Sequence, residues 1–320
     1  MKNWLEKNKD LLISMGLFVG PLVLLLGIFF VTKFNTEDSD IAIVEAPFVS
    51  HKPVQIAPGF DSIDILAKGV YVKELNTGKI LYHKNANESL PLASITKMMT
   101  AVVAVEYLND GSIVTIDQDS LETEGDSRLF LDERWNLKDL LNFTLVTSSN
   151  DGASAIASVV GSVLGRTEVD PRSKFVDQMN ISAKKIGMTN TRFKNETGLD
   201  TNETIPGARG SAKDVTALFE YILSNHPELL RATTEDQFSV DDLSGVNHIV
   251  QNTNTIVDNL PNIVGSKTGF TELAGGNLSV IINPGLNNPV AITVLGSTYE
   301  GRFEDVKKLA DATMQYYLDN

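Results

Sequence analysis

Ser94 and Lys97 stand three residues apart in PLASITKMMTA, residues 91–101, at the start of an apolar run. A serine hydroxyl becomes a useful nucleophile only when a neighbour takes its proton, and a lysine can do so only as the neutral amine. At a helix start the hydroxyl would lie near the positive end of the helix dipole, among backbone N–H groups without intrahelical partners. Lys97, three positions on, returns to the same face within reach of it. The spacing alone is weak, because serine and lysine are common. The chain carries its own control: Ser182 and Lys185 repeat the pattern in what reads as an ordinary surface helix.

Two further polar clusters interrupt apolar surroundings. LVTSSNDGASAIA (145–157) contains Ser148 and Asn150 between two helical patterns. NIVGSKTGFTELAGGNLSV (262–280) contains Lys267, Thr268 and Gly269 in strand-forming sequence. Each has a bland reading, the first as a helix N-cap and the second as a strand entering a turn. Together with Ser94 and Lys97 they meet the needs of acyl transfer: a nucleophile, a base, a proton route and oxyanion donors. A second cation, Lys267, would repel a proton on Lys97, and burial would add to this, favouring the neutral amine. Ser148 could relay a proton to a leaving nitrogen, and Asn150 could hold a peptide carbonyl. Gly269 would let a substrate backbone approach the strand, whose edge can pair with an extended peptide.

Composition removes other chemistries. A net charge of −14 over 320 residues argues against nucleic acid as partner. The chain has no cysteine, which excludes disulfides, thiolate catalysis and cysteine-ligated zinc. Its four histidines, at 51, 83, 226 and 248, show no metal-binding spacing, and no G-x-S-x-G elbow supports a serine–histidine–aspartate triad. No metal or organic cofactor is implied.

The N-terminal sequence predicts that the scaffold of these residues lies outside the cytoplasm. Residues 11–32 are uncharged and long enough to cross a bilayer as a helix, and proline at 21 is tolerated there. Lys2, Lys7 and Lys9 precede this stretch, and after Lys33 the next basic residue is Lys52. The positive-inside rule then gives a cytoplasmic N-terminus (1–10), an uncleaved anchor (11–33), a proline-spaced extracytoplasmic linker (34–60) and a catalytic domain (61–320). In that domain a hairpin is expected about Asn76-Thr-Gly, followed by helices near 95–108, 136–145, 152–163, 174–187 and 212–224. Residues 228–262 read as polar and irregular. Strands return at 262–271, 277–283 and 290–297, and a closing amphipathic helix packs one face inward. This order predicts one α/β (α+β) domain, its mostly antiparallel sheet flanked by helices and pairing the two ends of the chain.

S-x-x-K, S-x-N and K-T-G in this order resemble the signatures of the penicillin-binding protein and serine β-lactamase superfamily. LPLASITKMMTAVVAVE, LLNFTLVTSSNDGASAIA, FVDQMNISAKKIGMTNTRFKNETGLD and VGSKTGFTELAGGNLSV narrow it. They resemble the low-molecular-weight D-alanyl-D-alanine carboxypeptidases, from about residue 65 to the C-terminus. The resemblance implies a β-lactamase/transpeptidase-like fold and a Ser94 acyl-enzyme formed on a peptidoglycan stem peptide, with Lys97 as base and β-lactams as covalent inhibitors. It implies that Ser148 and Asn150 line the opposite wall of the cleft. Lys267, Thr268 and Arg302 would meet the substrate's terminal carboxylate, and the backbone N–H groups of Ser94 and Phe270 would form the oxyanion hole. Ser149 departs from the usual glycine of S-G-N, and it also stands where a class A β-lactamase carries aspartate. A D,D-endopeptidase with the same machinery remains open, as does, less favoured, a non-catalytic penicillin-binding wall sensor.

Overall fold

The computed structural model describes residues 57–125, 128–165, 170–285 and 287–320. The expected anchor at 11–33 and most of the linker lie outside the described residues. Among those described, no helix is long and apolar enough to cross a membrane.

The chain opens with a hairpin, β1 (Gly69–Glu74) and β2 (Ile80–Lys84), around the Asn76–Lys79 turn. A 3-10 turn at Ala93–Ile95 leads into α1 (Thr96–Tyr107). The helical middle follows: α2 (Leu137–Thr147), α3 (Asn150–Val163), α4 (Pro171–Ile186) and α5 (Ala212–Asn225). Asp170 caps α4 by accepting from two of its first N–H groups, with Pro171 at the first turn and Gly187 closing the far end in the left-handed region. Ser182 and Lys185 lie on α4, so the control motif is an ordinary helix, although Ser182 itself is buried.

The segment expected to be irregular contains a second hairpin, β3 (Gln237–Asp241) and β4 (Asn247–Gln251). It buries every second residue, Phe238 and Val240 in part and His248 and Val250 fully, with polar residues between and beyond them, so no apolar run marks it. Its anchors are tertiary and polar: Leu243 N donates to the Arg134 carbonyl at 2.7 Å, and buried His248 contacts Glu133 at 3.0 Å. No local pattern encodes such partners.

β5 (Ile263–Thr271), β6 (Gly275–Ile282), β7 (Val290–Ser297) and the final helix α6 (Gly301–Asp319) complete the fold. The main sheet has the order β5-β6-β7-β1-β2 and all its pairs are antiparallel, so β1 and β7 join the two ends of the chain as expected. Side chains alternate between two apolar cores. Leu278, Val280, Ile292 and Val294 meet Phe303, Val306 and Leu309 of α6. Ile281, Ala291 and Leu295 join the core formed with the helical middle. Each such large aliphatic side chain, fully buried, contributes roughly 1.5–3 kcal/mol. The folded part begins before residue 61, since Ala57 and Phe60 are buried in the α6-side core and Ala57 N donates to the Leu81 carbonyl. β5 is an edge strand, and one of its faces lies against the turn that leads into α1.

Candidate active site

The nucleophile candidate sits where the backbone is strained. Ala93 has φ +48°, a left-handed conformation that costs a non-glycine residue on the order of 1–2 kcal/mol. Its surroundings hold it there. Leu92 N donates to the Ala208 carbonyl at 3.0 Å, and the buried amide of Asn277 donates to the carbonyls of Pro91 and Leu92, both at 3.0 Å. Asn277 was not singled out by the sequence; an asparagine in a strand gives no sign that its amide will be used across the sheet. A Cβ on Gly269 would stand 2.9 Å from the Leu92 carbonyl and 3.2 Å from Ser94 N. The small residue in K-T-G therefore lets β5 approach the start of α1, whereas the sequence suggested room for a substrate backbone.

Lys97 is buried to 1% exposure. Its Nζ lies 3.0 Å from Ser94 Oγ, 2.6 Å from Asn150 Oδ1 and 2.9 Å from the Thr197 carbonyl oxygen. As an ammonium it would donate to all three. As a neutral amine it has two N–H bonds and one lone pair. Asn150 Oδ1 and the Thr197 carbonyl can only accept, so they take the two hydrogens and leave the lone pair facing the Ser94 hydroxyl. Burial lowers Lys97 to about 7, against the pull of Glu196 and Asp151 that favours the charged form. The sequence argument gave this work partly to Lys267. In the structure desolvation does it, and the repulsion between the two lysines falls on Lys267.

Lys267 is also buried, and its amine is held well below the usual lysine range by desolvation, then by Lys97 and Arg302. Its Nζ donates to Ser148 Oγ at 2.9 Å and to the Thr268 carbonyl at 3.0 Å. Ser148 has φ +64° at the end of α2, a second strained position at the site. The N-cap reading of its cluster falls to its neighbour: Ser149 Oγ accepts from Gly152 N at 2.9 Å. Asn150 orients the lysine more than it faces the cleft, because its Nδ2 donates to the Glu124 carbonyl at 2.6 Å while its oxygen meets Lys97.

At the far end of β5 the Thr268 hydroxyl is 2.6 Å from that of Thr253, a partner the sequence did not suggest. Arg302 is 3% exposed and donates through Nη1 to the Gly269 carbonyl at 2.9 Å. Its guanidinium lies over the rings of Tyr299 and Phe303, at 4.4 and 4.6 Å. Its Nε is buried without a partner, a donor for which an incoming anion would be a natural acceptor. Phe270 is 40% exposed at the end of K-T-G and meets Tyr299 edge-on. The structure thus brings Ser94, Lys97, Ser148, Asn150 and Lys267 together as two hydrogen-bonded sets, Lys97 with Ser94 and Asn150 and Lys267 with Ser148. The lysines are near enough to repel each other, Thr268, Gly269 and Phe270 follow on β5, and Arg302 reaches Gly269 from α6. Among the described residues no three histidine, aspartate or glutamate side chains converge to hold a metal. A cavity of about 810 Å³ opens beside the group, lined by Ser148 and Asn150 and, across it, by Phe130 and Ile249.

Residues 54–298 match the D-alanyl-D-alanine carboxypeptidase family. The D-alanyl-D-alanine carboxypeptidase DacF of Bacillus subtilis is 31% identical over 266 residues, 78% of this chain and 63% of that protein. This chain therefore spans less than two thirds of that relative's length. The D-alanyl-D-alanine endopeptidase of Escherichia coli is 31% identical over 243 residues, covering 72% of each chain. Among solved structures, a mutant of a Streptomyces DD-transpeptidase matches with a TM-score of 0.71 at 25% identity, covering 81% of this chain and 100% of that one. A penicillin-binding protein from Listeria monocytogenes in its ampicillin-bound form matches with a TM-score of 0.63 at 28% identity, covering 78% and 98%. The mixed fold with its antiparallel sheet is common to them, and with a match running through all three motifs the chain belongs to the D-alanyl-D-alanine carboxypeptidase family.

Proposed function

We propose that the protein is a serine D,D-carboxypeptidase that removes the terminal D-alanine from peptidoglycan stem peptides through an acyl-enzyme on Ser94. The observation that carries this is the buried Lys97 amine, 3.0 Å from Ser94 Oγ and lowered to about 7. Near neutral pH a large fraction of it is neutral, where an ordinary lysine would be almost wholly protonated. Lys97 takes the Ser94 proton as Oγ attacks the carbonyl carbon of the penultimate D-alanine. The oxyanion that forms is met by the backbone N–H groups of Ser94 and Phe270. The proton passes by way of Ser148 to the leaving nitrogen, and free D-alanine departs. Water then hydrolyses the ester and regenerates Ser94. Lys267, Thr268 and Arg302 receive the terminal carboxylate, for which a guanidinium is suited by its paired donors. A β-lactam would stop at the ester, in keeping with the relative solved with ampicillin.

The test is incubation of the full-length protein with labelled penicillin and with a stem pentapeptide, alongside Ser94→Ala. We expect a covalent adduct and D-alanine release from the wild type and neither from the variant. Absence of both from the wild type overturns the assignment. A D,D-endopeptidase is the second reading, favoured by the Escherichia coli endopeptidase, which matches over 72% of its length. A crosslinked muropeptide dimer in the same assay separates the two.

The proposal includes a membrane anchor at residues 11–33 with the domain outside, supported by the uncharged stretch and by Lys2, Lys7 and Lys9 before it. The protein should resist alkaline carbonate extraction and should be digested by protease added to intact protoplasts. Release by carbonate would remove the anchor, and protection from protease would reverse the orientation.

A further inference from the structure

Arg302 is a buried cation, and among the described residues no carboxylate forms an ion pair with it. Burial of such a charge carries a desolvation cost that its neighbours must offset. It is met by the Gly269 carbonyl oxygen at 2.9 Å and by two aromatic rings, Tyr299 at 4.4 Å and Phe303 at 4.6 Å. The two rings differ in standing. Phe303 is buried and belongs to the core beneath α6 with Val306 and Leu309. Tyr299 is 52% exposed, so the core does not hold its ring over the guanidinium. The backbone does. Between β7 and α6, Arg302 N donates to the Thr298 carbonyl at 3.2 Å and Gly301 N to Thr298 Oγ1 at 2.9 Å, closing a turn that contains Tyr299. Gly276 of β6 makes room for this turn, since a Cβ there would lie 2.0 Å from the Thr298 carbonyl oxygen and 3.2 Å from Arg302 Cδ. On its exposed side Tyr299 also meets Phe270 edge-on, with ring centroids 5.0 Å apart.

We infer that Tyr299 is a positioning residue for the carboxylate of the substrate's terminal residue, its ring holding the Arg302 guanidinium in one orientation and shielding it from water. The inference rests on the reading that Arg302 receives that carboxylate. A ring face attracts a cation more strongly where water is excluded, and it leaves the edge of the planar guanidinium for hydrogen bonds. Along that edge Nη1 is occupied by Gly269, while Nε is buried without a partner and is a donor left for the anion. Without the ring the guanidinium can turn and hydrate, and both changes weaken its hold on a carboxylate. Tyr299 takes part in no bond that forms or breaks. The order of the reaction separates its action from a general one. The terminal carboxylate departs with D-alanine as the acyl-enzyme forms, so Tyr299 acts on acylation of Ser94 and not on hydrolysis of the ester. An effect through Phe270, whose N–H meets the oxyanion, would slow both steps, because an oxyanion forms in each.

The experiment measures both steps with a stem pentapeptide, in full-length wild type, Tyr299→Ala, Tyr299→Phe, Arg302→Gln and the Tyr299→Ala/Arg302→Gln double variant. Intact-protein mass spectra of quenched samples give the second-order rate of acylation and the rate at which the peptidyl ester is hydrolysed. We expect Tyr299→Ala to acylate about 3–10-fold more slowly and to hydrolyse the ester at the wild-type rate. Tyr299→Phe keeps the ring and should acylate within about 2-fold of wild type. Arg302→Gln should slow acylation at least as much as Tyr299→Ala does. The double variant should fall short of the product of the two single effects, because the residues are in contact and one acts through the other. Unchanged acylation in Tyr299→Ala, where Arg302→Gln slows it, overturns the inference. Equal slowing of both steps overturns it too, pointing to Phe270 or to a general loss of structure, as does a double variant that multiplies the single effects in full. Each of these results leaves Arg302 as the carboxylate's partner, whereas unchanged acylation in Arg302→Gln removes that assignment and the inference with it.

Discussion

Lys97→Ala is expected to slow acylation of Ser94 by about 10²–10⁴-fold while leaving the protein folded. The rate falls because, among the described residues, Lys97 is the hydrogen-bond partner of Ser94 Oγ that can take its proton. Lys267 contacts Ser148 instead, and the Thr197 carbonyl and Asn150 Oδ1 are oriented on the lysine. Two stability effects oppose each other. Truncation leaves those acceptors without a donor, a penalty of about 1–3 kcal/mol per buried group. It also removes an amine whose charged form is desolvated. Lys97 is lowered to about 7 from an ordinary value of 10.5, so its protonated state is disfavoured by folding. The wild type therefore gains stability as pH rises from about 7 towards 10.5, and as pH falls the gain is lost over the same window and is gone below about 7. The variant should lose this slope. Its melting temperature should approach that of the wild type, or exceed it, below pH 7 and fall short of it in alkali. Penicillin labelling followed over time, together with melting curves at both pH values, checks the prediction. Acylation at the wild-type rate would remove Lys97 as base.

The same side chain shows what a sequence can and cannot disclose. Ser94-x-x-Lys97 was readable because a helix brings positions three apart to one face, and periodicity is a local property. The strand at 290–297 was readable for a similar reason: a continuous apolar and β-branched run bounded by turns identifies a strand buried on both faces. The cause of the lowered lysine was not readable. The lysine is buried where Thr197 and Asn150, 100 and 53 positions away, accept its hydrogens, and Lys267, the cause the sequence suggested, is itself lowered by Lys97. The FKNETGLD stretch supported the family resemblance without showing what it does. Its Glu196 and Gly198 matter through Arg172, Ser154 and Ala93, each on another element. The hairpin of β3 and β4 escaped for the converse reason. Its local pattern is shallow and polar, and its anchors, the Arg134 carbonyl and Glu133, come from elsewhere.

Gly198→Ala is expected to damage both stability and acylation, and Gly187→Ala is the control that separates the two effects. Both glycines have left-handed backbones, with φ +82° and +92°, so each substitution incurs the roughly 1–2 kcal/mol that an L side chain costs there. At Gly187, the cap of α4, an added Cβ meets nothing within 4 Å, and that cost should be the whole effect. At Gly198 the Cβ would lie 1.9 Å from the Ala93 carbonyl oxygen and 2.6 Å from Thr96 Oγ1. Backbone on one side or the other must move. Ala93 is already strained and directly precedes the nucleophile, while Gly198 directly follows the carbonyl that orients Lys97. Either movement separates the base from the hydroxyl, and a displacement of about 1 Å at a reacting pair can cost 10²-fold in rate. We therefore expect Gly198→Ala to lose more than about 2 kcal/mol of stability and to acylate at least about 10-fold more slowly even where it remains folded. Gly187→Ala should lose stability alone. Denaturant titrations and penicillin labelling of both variants measure the two quantities. Wild-type acylation by a folded Gly198→Ala would show that the Glu196–Gly198 segment does not hold the nucleophile and its base in register.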